Sequence, residues 1–290
     1  QVRGFSPDAL GNLTAQQLGA LTPTQIAGLT AIQVKGFSSA QLQSLTTQQE
    51  GALSVAQLAS LSAAQVRGFS TTQISALTTA QVTGLSAAAI GGLATTQWDA
   101  LSITQFTALT TSQVRGFSET QLASLNADQL GALLPAELAS LSSTQVATLD
   151  ATQIAQLTPA QFKLLGASHR AALSTEEAAA LTTTQVAALS GAQLSGLTSS
   201  QLEVLGGEQI GAIATSQISG LTATQVRQLS ETQIAAFTVA QVRALTSEEL
   251  GALTTTQTIG LSTTQLIALS TTQVKLLPAA LIGSLDETQL

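Results

Sequence analysis

The 290-residue chain has no cysteine, no methionine and no tyrosine, one histidine (His169) and one tryptophan (Trp98). Without cysteine there is no disulfide, zinc ribbon, thiol nucleophile or iron–sulfur cluster. A single histidine cannot build a multi-histidine metal site, and any serine triad would have only His169 as its base. Charge is scarce as well: nine Lys and Arg against sixteen Asp and Glu give a formal charge of −7. That balance argues against a nucleic-acid surface. No run of 18 apolar residues exists, so no transmembrane helix is expected. Yet 44% of the residues are hydrophobic, which sets the chain apart from disordered sequences. It opens on Gln1 rather than methionine, as a processed chain or a piece of a longer one would.

What is present is a repeat of eight residues. Counting in eights from Phe5 to Leu285 meets 30 Leu, five Phe and Ile213, without a single insertion. Call this position slot one. Slot two is Ser or Thr in 27 of 36 octads, slot five is Gln at 30 of 37 positions, and slot six is almost always Val, Ile or Leu. Slot eight is mostly Gly, Ala or Ser, so the consensus reads L-[ST]-x-x-Q-[VIL]-x-[AG].

The period excludes a continuous helix. Eight residues at about 100° each overshoot two turns by roughly 80°, so the Leu row would circle the cylinder. The helix must break in every octad, and the residues say where. Ser or Thr followed three residues later by Gln is a capping box, and slots one and six flank it as a hydrophobic staple. Pro7, Pro23, Pro135 and Pro159 occupy slot three, the first helical position, where a missing N–H costs nothing. Thirteen of the sixteen acids fall in slots two to five and eight of the nine cations in slot seven, the order the helix dipole favours. Eighteen of 22 glycines lie in slots seven and eight, where the helix must end and the backbone must turn. A β-solenoid fits less well, because strict alternation is absent and Pro and acids gather at one phase.

A second period of sixteen overlies the first. Arg3, Lys35, Arg67, Arg115, Lys163, Arg227, Arg243 and Lys275 are separated only by multiples of sixteen. Val at slot six and Phe at slot one favour the same phase. Two octads, or 16 residues, per coil is the simplest account. The expected fold is therefore an all-α solenoid of very short capped helices, one per octad, in a single continuous array over residues 1–290. It would form an elongated rod with the cations as a possible contact row along one layer.

Few residues suggest chemistry. His169 stands at slot five in place of Gln, where a hydrogen-bonding substitute is the simple reading, and Arg170 breaks the apolar slot six beside it. Ser168 adjoins His169, but no third orienting group is implied. Glu176 and Glu177, like Glu248 and Glu249, are carboxylate pairs at positions that helix starts already explain. Trp98, Phe106 and Phe162 take slot six and read as core, while Glu50 and Thr258 in the same slot are departures without a sequence rationale. Gly206 and Gly207 form no phosphate fingerprint. No catalytic, cofactor-binding or metal-binding set emerges, so a non-enzyme without cofactors is expected.

Strings such as LTTTQVAAL (Leu181–Leu189) and LSTTQV (Leu269–Val274) resemble the octad arrays of very large bacterial surface or secreted repeat proteins. These are often labelled adhesin-like or haem-utilisation proteins. The resemblance implies a bacterial, extracellular or cell-surface protein serving as stalk, adhesin shaft or filament. It transfers no binding residue, and haem ligation would rest on His169 alone. Neither end carries a polar capping octad, so the expected partners are further repeats of a parent chain or the protein itself, end to end or laterally. No nucleic acid or membrane span is expected. The alternative is a binding module offering a Ser/Thr/Gln face to glycan, ice or another surface.

Overall fold

A computed structural model describes residues 2–275 and residue 277. Among them are 34 α-helices of four to six residues, one in each octad from Pro7–Gly11 to Thr271–Val274, and a 3₁₀ turn at Val2–Gly4. No strand occurs among the described residues. Each helix starts at slot three, and the slot-two residue before it is extended, as at Thr78 (φ −68°, ψ 158°). The Thr78 hydroxyl accepts from the Gln81 N–H at 3.2 Å, and Gln81 Oε1 accepts from the Thr78 N–H at 2.9 Å. This reciprocal box recurs along the chain. Where slot two has no hydroxyl, as at Ala94, the Gln half persists alone: Gln97 Oε1 still accepts from the Ala94 N–H at 2.9 Å.

The helices end where the glycines gather, within slots six to eight. No described residue has positive φ, so no left-handed cap exists. Instead the slot-one N–H donates back to the slot-six carbonyl of the preceding octad, as from Leu29 to Ile26 at 3.1 Å. This tightens the last turn to 3₁₀ geometry. Slots one and two are then extended and lead into the next helix.

Glycine at slot eight serves close approach instead. A Cβ on Gly116 would stand 2.5 Å from the Ala87 carbonyl oxygen, and one on Gly36 would stand 2.7 Å from that of Pro7. The slot-seven Gly19, by contrast, has open space around it. Gly116→Ala should therefore cost about 1–3 kcal/mol by overpacking, while Gly19→Ala should be neutral or gain up to about 1 kcal/mol. Thermal melting of the two variants tests this, and equal shifts would remove the close-approach account.

The chain forms two compact units, Gln1–Thr148 and Leu149–Leu290. Within each, a helix packs on the third helix along. In the first unit Val55–Ala59 packs on Ala31–Lys35 and on Thr79–Gly84; in the second Pro159–Leu164 packs on Thr183–Ala188. Slots one and six turn inward. Nearly every slot-six side chain is fully buried, from Leu10 to Leu250, with Leu266 slightly less so, and slot one is nearly as buried from Leu29 onward. Trp98, Phe106 and Phe117 form an edge-on cluster, with Trp98 4.8 Å from Phe117 and 5.4 Å from Phe106 between ring centroids. They are core, as slots six and one require.

The coil is larger than sixteen residues. Helices pack on the third helix along, and slot-five amides reach carbonyls 28 and 31 residues earlier, so one coil takes three to four octads. Two octads per coil is thus overturned for a physical reason. A slot-five side chain is long enough to span one layer, and the carbonyls it finds lie three to four octads back. In a coil of that size successive octads have equivalent surroundings. The sixteen-residue phase therefore has no counterpart in the packing, and nothing in the structure explains it.

Candidate functional site

The feature built most uniformly is the joint between successive coils. Gln113 illustrates it in the first unit. Its Oε1 accepts from the Thr110 N–H at 2.9 Å, while its Nε2 donates to the Val82 and Leu85 carbonyls at 2.7 and 2.8 Å. Val82 lies in the last turn of one helix, and Leu85 precedes the start of the next. Each Gln therefore caps its own helix and ties it across the gap between two helices of the adjacent coil. Gln185 does the same in the second unit, on Thr182, Ile154 and Leu157. These amides are buried, Gln185 completely. The donor half of this role lies beyond the capping box. Its sequence signal is the strength of the Gln preference, since a box alone accepts Glu equally well.

The eight cations are all exposed. Arg3 Nε donates to the Gly28 carbonyl at 2.8 Å, and Arg67 Nε donates to the Gly92 carbonyl at 3.0 Å. Both acceptors terminate helices of the adjacent coil, where a cation meets the negative end of the dipole. In the first unit Arg3, Lys35, Arg67 and Arg115 stand 32, 32 and 48 residues apart. In the second unit Lys163, Arg227, Arg243 and Lys275 stand 64, 16 and 32 residues apart.

The remaining residues of interest divide between caps and core. His169 Nδ1 accepts from the Gly166 N–H at 3.0 Å, as a Gln Oε1 would. Arg170 is buried beside it: it donates through Nη1 to the Leu165 carbonyl, while its Nε finds no acceptor. Burial lowers its pKa. Glu177 and Glu249 accept from the cap N–H groups of Ser174 and Thr246. Thr258 is fully buried and returns its hydroxyl to the Thr254 carbonyl at 3.0 Å, which satisfies a polar group in an apolar slot. Glu50 has no such outlet. It is 1% exposed, both carboxyl oxygens lack partners, and burial raises its pKa to about 8.

The open spaces are grooves between coils. One of about 700 Å³ is bordered by Ser219 and residues 221–224 and 246–249, including Glu248, Glu249 and several hydroxyls. Another of about 500 Å³ lies where Gly206 and Gly207 remove side chains. Among the described residues no three His, Asp or Glu side chains converge. No described helix is long and apolar enough to cross a membrane.

Residues 51–87 match the family described as ALTTAQ repeat, and residues 76–81 within them read Ala-Leu-Thr-Thr-Ala-Gln. No curated protein is significantly similar to the chain. The matched repeat and the stacked helices together define a repeat protein with the architecture of a short-helix solenoid.

Proposed function

We propose that the chain is a non-catalytic structural repeat protein, a shaft or filament segment exposed on a bacterial surface. The observation that carries this reading is the use made of its polar side chains. Gln amides, Ser and Thr hydroxyls and the first-turn acids are spent on capping helices and tying coils, octad after octad. A protein whose polar residues are committed to building its scaffold is suited to bearing length rather than to turning over a substrate. The lack of cysteine and methionine suits an oxidant-exposed location, and the resemblance to surface arrays points the same way.

The test is negative-stain electron microscopy with sedimentation over a range of concentrations, alongside surface labelling of the source cells. Extended particles or filaments and surface labelling are expected. Compact particles that never associate, from a protein confined to the cell interior, would overturn the proposal. The alternative of a Ser/Thr/Gln binding face loses much of its Gln component to the buried joints. It would rest on exposed slot-three and slot-four hydroxyls such as those of Thr183, Thr184, Thr255 and Thr256, and a silent glycan array would remove it.

A further inference from the structure

Glu249 occupies a joint that every Gln around it closes with an N–H donor. One octad earlier, Gln241 Nε2 donates to Ile210 and Ile213 at 2.9 and 2.6 Å; one octad later, Gln257 Nε2 donates to Val226 and Leu229 at 2.8 and 2.7 Å. By the same register the carbonyls opposite Glu249 are those of Ile218 and Leu221. Glu249 keeps the capping half of the role: its Oε2 accepts from the Thr246 N–H at 2.6 Å. Its Oε1 takes the place of the amide nitrogen and is buried without a partner. An ionised carboxylate has only acceptors to offer two carbonyl oxygens, whereas a carboxylic acid has one O–H to donate.

We propose that Glu249 is a proton-operated joint: protonated, it donates to the facing carbonyls and holds two coils together; ionised, it loosens them. Burial raises its pKa most, Glu248 raises it further, and the Thr246 hydrogen bonds oppose the shift. Helix Ala223–Gln228, which packs on Ser247–Gly251, carries Arg227 in its last turn; helix Val239–Ala244, the preceding one, carries Arg243. Both arginines are exposed, and neither partners Oε1. The 700 Å³ groove reaches Leu221 and Glu249, giving water a route to the joint. The folded carboxyl binds its proton more tightly than an unfolded one. The joint is therefore firm at low pH and weakens as pH rises from the usual carboxylate range through the raised value.

Glu137 shares the capping half of this arrangement. Its Oε2 accepts from the Leu134 N–H at 2.8 Å, and burial raises its pKa. The helix packed on it, Thr111–Val114, is followed by the exposed Arg115.

The decisive comparison is between the intact chain and Glu249→Gln, which installs the residue the array already uses and so should fold. Amide hydrogen-exchange protection around residues 218–224 and 246–251 is measured at pH 5 and pH 8, and the Glu249 carboxyl is titrated by carbon-13 NMR. In the wild-type chain, protection should fall with rising pH, up to about tenfold for each pH unit by which the pKa is raised. In Glu249→Gln it should stay high at both. Identical pH dependence in the two proteins would overturn the proposal, as would a Glu249 carboxyl that titrates at or below 4.5.

Discussion

Replacing Glu50 by Leu should stabilise the first unit and flatten its pH profile. Slot six holds Leu in both neighbouring octads, at Leu42 and Leu58, so the substitute fits the repeat. Glu50 itself lies in helix Thr47–Gly51, which packs on Pro23–Ala27 and Thr71–Ala76. None of these three helices holds another titratable group, so no cation compensates the carboxylate. Its pKa therefore rises from 4.5 to about 8. The folded state takes up a proton between those values, and stability falls as pH climbs through that window. At about 1.4 kcal/mol per pH unit the cost is roughly 3 kcal/mol at neutrality and about 5 kcal/mol above pH 8. Urea titrations at pH 5 and pH 8 should show that loss in the wild-type chain and most of it abolished in Glu50→Leu. Glu137 leaves a smaller residual slope in the same unit. Parallel pH profiles for the two proteins would mean that Glu50 finds water or a partner, and the account would fail.

The second large effect is expected at a closed joint. Gln185→Ala removes an acceptor from the Thr182 N–H and a donor from the Ile154 and Leu157 carbonyls, at distances of 2.7 to 2.8 Å. The site is fully buried, so the abandoned backbone groups keep their desolvation cost, about 1–3 kcal/mol each. A total loss of about 3–5 kcal/mol is expected, since some carbonyls retain a helical partner. Gln145→Ala makes the control. Its amide donates to Arg115 and Phe117 at 3.1 and 2.9 Å in a joint open to solvent, where water can take over and the loss should be about 1 kcal/mol. Thermal melts of both variants check the contrast. Losses of equal size would show that burial of the joint contributes little.

Local structure was nearly complete in the sequence, and long-range closure was not. Hydroxyl, proline, acid, cation and Gln each mark a boundary of the same short helix, and all 34 described helices start at slot three. Those signals act within one octad, so they say nothing about how many octads make a coil. The cation spacing suggested two, yet surface residues such as Lys35 and Arg227 are free to vary without moving the packing. A better clue was the ratio at slot five, 30 Gln to three Glu. A cap needs only an acceptor, so a preference that strong implies a donor's task elsewhere. Glycine marks the helix ends, but for a reason the octad alone does not show: Gly116 makes room for a neighbouring backbone and does not turn its own. At slot six, Glu50 breaks the pattern without any compensating residue in its own octad. Only the burial of its surroundings reveals what the substitution does.

Because each Gln finds its carbonyls by counting back 28 and 31 residues, no octad is the first or last of a turn. A gene that gains or loses a single octad within the array shifts every later helix around the axis but leaves each later joint with equivalent partners. Repeats whose unit is a whole turn can change length only by whole turns. This one can be lengthened or shortened in steps of eight residues, so reach is adjustable in fine increments by recombination between near-identical repeats, with the joints beyond the change still closed.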